Sequence, residues 1–68
     1  MSYKIQVFNF DVHTHWMDYK AAGEFETEEE AEKERNRMAS IWTSMFKWSR
    51  VVLSDVKAEG LPEGLVMP

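Results

Sequence analysis

Apolar and polar positions alternate along residues 3–10. Tyr3, Ile5 and Val7 share one side, while Phe8 and Phe10 share the other with Lys4 and Gln6. A period of two predicts a strand. Residues 11–15 break the alternation and read as a turn. A second strand is predicted over residues 16–22, with Met17, Tyr19 and Ala21 opposite Trp16, Asp18, Lys20 and Ala22, and Gly23 ending it. The two runs are close enough in sequence to pair as an antiparallel hairpin.

The period then changes. Thr27 followed by Glu28-Glu29-Glu30 is a helix start: a hydroxyl cap, and a glutamate three residues on that can reach back to the cap's own N–H. The spacing predicts a helix over residues 28–46. Its first half is almost wholly charged. In its second half Met38, Ile41, Trp42, Met45 and Phe46 crowd one side, and positions 31, 38, 42 and 45 form the stripe expected to pack on the sheet. Residues 48–57 contain Val51-Val52-Leu53, a β-branched run typical of a strand. Trp48, Arg50, Val52, Ser54 and Val56 point one way along it. Residues 59–68 hold two glycines and two prolines and should be irregular, yet they carry Leu61, Leu65, Val66 and Met67. Such a tail either docks on the domain or is a short recognition segment.

These elements predict an α+β domain over residues 1–58, with an apolar tail over 59–68. The order is ββαβ: a three-stranded, mostly antiparallel sheet with one amphipathic helix on one face. One helix covers one face only. Phe8, Phe10, Trp48, Val52 and Val56 are left for the other, which we expect to be open and to serve as a protein-contact or homodimer surface.

Sixty-eight residues bury only roughly 60% of the unfolded chain's surface, and no cysteine is available to staple the core. No apolar run approaches the roughly 20 residues that span a bilayer, and the N-terminal residues lack the apolar stretch of a secretory leader. A cytoplasmic protein is the expectation. The net charge of −4 is unevenly placed. Residues 24–34 hold seven glutamates (Glu24, Glu26, Glu28, Glu29, Glu30, Glu32 and Glu34) against Lys33, which is −6 and leaves +2 elsewhere. That acidic surface suits a basic partner surface or solubility, and it argues against nucleic acid, which selects basic footprints.

His13-Thr14-His15, with Asp11 and Asp18 nearby, is the alternative source of function, a loop that would bind a metal or a small ligand: in extended chain both imidazoles project to one side, as two metal ligands require. A polar turn is the plainer reading, and we assign no metal and no cofactor. The glutamates fall around an exposed helical surface rather than in a cleft, and no serine has a nucleophile's context. We expect no enzyme.

The pattern Trp16…Phe25-x-Thr27-x-Glu29-Glu30-Ala31…Trp48-x-Arg50-Val51 resembles a class of very short bacteriophage-encoded proteins built as strand–strand–helix–strand. Some of these bind and inhibit host machinery, among them a small RNA-polymerase inhibitor and various anti-CRISPR proteins. The resemblance spans residues 3–57 and is one of organisation, so it carries over no functional residue. This helix is longer than the polymerase inhibitor's, and the tail is apolar. The resemblance implies a non-enzymatic module that occludes a host protein.

Overall fold

The computed structural model describes residues 1–9 and 11–64. Strand β1 (Tyr3–Phe8) lies in the middle of the sheet, with β2 (Met17–Asp18) on one side and β3 (Trp48–Leu53) on the other, both antiparallel to it. Helix α1 (Glu28–Ile41) covers one face. The small α+β domain with an antiparallel sheet is therefore the fold.

The alternation of β1 sets which side chains meet the helix. Ile5 and Val7 are buried there with Phe46, and Tyr19, Ala22, Phe25, Met38, Ala39 and Val51 pack around them. Tyr19 meets Phe46 edge-on, ring centroids 5.0 Å apart. Ala31 is the buried residue of α1, where its small side chain lets the helix approach closely.

Three boundaries differ from expectation. The second strand is two residues long rather than spanning 16–22. Tyr19 still donates its N–H to the Ile5 carbonyl at 2.8 Å, but Lys20–Ala22 then form one 3-10 turn. Lys-Ala-Ala contains helix formers and no β-branched residue. Gly23, at φ 73°, reverses the chain so that Phe25 returns to pair with Tyr3. The helix stops at Ile41, not near Phe46. The third strand stops at Leu53, where the Val56 N–H turns back onto the Leu53 carbonyl at 3.0 Å.

The start of α1 is close to expectation. The Thr27 hydroxyl oxygen accepts from the Glu30 N–H at 3.1 Å. The Glu30 carboxylate, however, takes the Thr27 hydroxyl proton at 3.2 Å rather than the cap's backbone N–H.

The second face of the sheet is not open. Phe8 is 1% exposed and Gln6 fully buried. The cover is the chain itself: Trp16 is buried edge-on against Phe8, and its backbone N–H donates to the Gly60 carbonyl at 2.9 Å. The Gln6 amide reaches the Val56 carbonyl at 3.4 Å, and Pro62 is buried. Residues 59–64, though irregular, are thus tied down. Leu65, Val66 and Met67 lie outside the described residues.

Candidate protein-interaction surface

The early end of α1 decides which apolar side chains reach water. Trp42 leaves helical geometry (φ −116°, ψ 63°) while its N–H still bonds the Met38 carbonyl at 2.7 Å. Thr43 and Ser44 follow, residues that favour turns over helix interiors. The Phe46 N–H then closes onto the Trp42 carbonyl at 3.0 Å, which swings the Phe46 ring into the core. Trp42 and Met45, expected on the buried stripe, are instead 55% and 41% exposed, and Ile41, expected to flank it, is 56% exposed. With Asn9, Thr43 and Ser44 they line a shallow depression of about 410 Å³. Turn residues thus convert half of the predicted core stripe into a surface patch.

The residues assigned to the open sheet face are placed differently. Phe8 is buried beneath Trp16 and His13, so it presents no contact surface. Trp48, Val52 and Val56 are half-buried. Phe10 lies outside the described residues. What occupies this face is a polar network that apolar patterning gave no sign of. The Gln6 amide donates to Asp18 at 3.0 Å, and its carbonyl oxygen accepts from Arg50 Nε at 2.8 Å. Lys4 Nζ pairs with Asp18 at 3.0 Å, and the Arg50 guanidinium lies 4.4 Å from the centre of the Trp16 ring. Burial pushes the Asp18 carboxyl up, but the Gln6 and Lys4 hydrogen bonds and the Lys4 and Lys20 charges together hold it below the usual aspartate value.

Of the acidic surface, Glu24, Glu26, Glu28, Glu29 and Glu30 are exposed, and Glu32 and Glu34 half-buried. Glu32 pairs with Arg35 at 3.1 Å and Glu34 with Arg37 at 2.7 Å. The Arg37 hydrogen bond keeps Glu34 below the ordinary carboxylate range. A lowered value suits a solvated ion pair and not a general acid.

The alternative ligand set does not assemble. Asp18 turns to Lys4 and Gln6. His13 Nδ1 accepts the Asn9 N–H at 2.9 Å, and its ring lies against Phe8. His15 Nδ1 donates to the Trp16 carbonyl at 2.7 Å. Asp11 is exposed, its N–H donating to the Asn9 side chain. Among the described residues, no three His, Cys, Asp or Glu side chains group so as to hold a metal ion.

No protein-family model, curated protein or solved structure matches the chain at a significant level. Among the described residues no helix is long and apolar enough to cross a membrane.

Proposed function

We propose that this chain is a non-enzymatic protein-interaction module that acts in the cytoplasm, and that its contact surface is the Ile41–Trp42–Met45 patch rather than the sheet face. The observation that carries the reading is the contiguous exposure of a tryptophan, an isoleucine and a methionine around one depression. Tryptophan and methionine are enriched in interface cores, and tryptophan is among the residues that dominate binding energy. A core of this size has little apolar surface to spare, so leaving three large apolar side chains in water needs a use. The organisational resemblance to short phage proteins supports a phage-encoded module that occludes a host protein, with the acidic first half of α1 steering a basic partner toward it.

The test is a side-by-side capture from bacterial lysate with wild type and an Ile41→Ser/Trp42→Ala double variant, each also run on size exclusion with light scattering. Capture of a defined partner by wild type, lost in a variant that melts like wild type, supports the reading. Equal capture by both proteins, or no association of any kind by wild type, overturns it. Dimerisation that the variant abolishes would keep the surface and replace the host partner with a second copy.

A further inference from the structure

The two histidines between β1 and β2 use their ring nitrogens in opposite ways. Asn9 donates its backbone N–H to His13 Nδ1 at 2.9 Å. A ring nitrogen that accepts holds no proton, so neutral His13 carries its proton on Nε2. His15 is the reverse. Its Nδ1 stands 2.7 Å from the Trp16 carbonyl oxygen, which only accepts, so that nitrogen carries the proton. A second proton on His15 goes to Nε2 and leaves its bond in place. A second proton on His13 goes to Nδ1, where two donors then face each other and the Asn9 bond is lost.

Asn9 anchors this turn. Its carbonyl accepts from the Val12 N–H at 3.1 Å and the His13 N–H at 2.8 Å, and its side-chain oxygen accepts from the Asp11 N–H at 3.0 Å. Asn9 also forms part of the depression that holds Ile41, Trp42 and Met45. One wall of the proposed contact surface is therefore fixed by bonds to Asn9, and one of those bonds depends on an unprotonated imidazole. We infer that protonation of His13 releases Asn9 and reshapes the depression beside Trp42, so that partner binding there is strong at neutral pH and weak in mild acid. Histidine is the side chain whose charge ordinarily changes between about pH 5 and about pH 8.

The surroundings leave the Asn9 bond as the contact that changes. From β1 the ring meets Phe8, centroids 6.4 Å apart, which carries no charge. The residues that line the depression beside Asn9 are all uncharged. Four groups nearby in the chain or on the adjoining strand do carry or gain charge. Asp11, in the same turn, is exposed, and His15 is bonded to the Trp16 carbonyl. Arg50 of β3 is turned onto Gln6 and Trp16. Lys47 is exposed and adjoins Trp48, the residue paired with Phe8. Among the described residues the Asn9 N–H is the hydrogen-bond partner of the His13 ring, and none of these four bonds to it.

The effect on binding rests on the Trp42 surface being the contact surface, whereas the release of Asn9 does not, so the two fail separately. Long-range proton–nitrogen NMR of the imidazoles in the intact chain reads the tautomers. Amide exchange and the Trp42 indole resonance, identified by its loss in Trp42→Ala, read the turn and the depression. At about pH 7.5 neutral His13 should hold its proton on Nε2 and neutral His15 on Nδ1. Between about pH 7.5 and about pH 5 the protection of the Asn9 amide should fall by about fivefold or more, and the Trp42 indole should shift along the titration curve of the His13 ring. His13→Asn, whose side-chain oxygen can replace Nδ1 as acceptor and does not titrate, should abolish both changes, and His15→Asn should leave them. A His13 proton on Nδ1 at neutral pH, unchanged protection of Asn9, or an indole that does not follow His13 overturns the proposal, as does a response that survives in His13→Asn. The wild-type readouts need no variant, so a poorly folding His13→Asn leaves the test intact. In lysate capture, a partner held at neutral pH should be released by wild type at about pH 5 and kept by His13→Asn. Retention by wild type overturns the binding claim; no partner at neutral pH overturns the surface reading and that claim with it, while the NMR readouts still decide the release of Asn9.

Discussion

Replacing Gln6 tests whether the covered face is held by its polar network or only by volume. The side chain is fully buried and bonds two charged groups, Arg50 at 2.8 Å and Asp18 at 3.0 Å, with a longer contact to the Val56 carbonyl. A hydrogen bond to a charged group contributes about 1.5–3 kcal/mol. Arg50 and Asp18 are half-buried and regain some water when the glutamine is lost, so about 1–1.5 kcal/mol each is the fitting value. With the unfilled space beside Trp16 and Phe8, Gln6→Ala should cost about 2–4 kcal/mol. A chain this short has about 3–10 kcal/mol in total. The melting midpoint should therefore fall by about 10–25 °C. The assay is paired thermal and urea melts followed by far-ultraviolet circular dichroism. Gln6→Met serves as the companion, because it keeps most of the volume and loses every hydrogen bond. It too should lose about 2 kcal/mol or more. A Gln6→Met protein within about 0.5 kcal/mol of wild type would refute the network argument and leave this face as ordinary packing.

Other substitutions test other parts of the account. Trp42→Ala should change stability by no more than about 0.5 kcal/mol, because its side chain is mostly in water, whereas Phe46→Ala should cost about 3–5 kcal/mol and leave little folded protein; urea melts of the two distinguish this arrangement from one with Trp42 in the core. Thr27→Ala removes the acceptor of the Glu30 N–H and should cost about 1 kcal/mol, read from the same melts, with fraying confined to the first turn by amide exchange. Asp18 is held below its unfolded value of 3.8, so its contribution is complete above that pH and is lost as pH falls through the lower folded value. Acid melts should accordingly show a steeper loss of stability below about pH 4 in wild type than in Asp18→Asn; parallel acid limbs would remove Asp18 from the account.

Much of the fold was legible because local signals agree with tertiary ones. The alternation of Tyr3, Ile5 and Val7, the Thr27 cap and the Val51-Val52-Leu53 run each appear in the structure as the elements they imply. The end of the helix was not legible, since no glycine or proline marks it. Beyond the turn residues Thr43 and Ser44, Phe46 packs on Tyr19, a contact between residues far apart in the chain that no local pattern reveals. Thr43-Ser44 was the one local hint. Missing that stop misassigned Trp42 and Met45, because a few residues of helix decide which way each side chain points.

The supposed open face failed for a related reason. Residues 56–62 have no hydrophobic period, yet they cover Gln6 and Trp16 through the Val56 and Gly60 carbonyls. Backbone acceptors leave no trace in a pattern of side chains. Gln6 likewise looked like an ordinary polar position on a strand. Only the register with Asp18 on one side and Arg50 on the other gives it a role.

The central claim is that Ile41, Trp42 and Met45 are a contact surface, and oxidative footprinting tests it most directly. The protein is oxidised in buffer and in bacterial lysate, then recovered, and modification is read at each methionine and tryptophan. Met17, 38% exposed, is the internal standard for Met45 at 41%. Protection of Met45 and Trp42 in lysate, with Met17 unchanged, is the predicted result. Equal modification of Met45 and Trp42 in lysate and buffer, or protection at Met17 instead, would contradict the assignment.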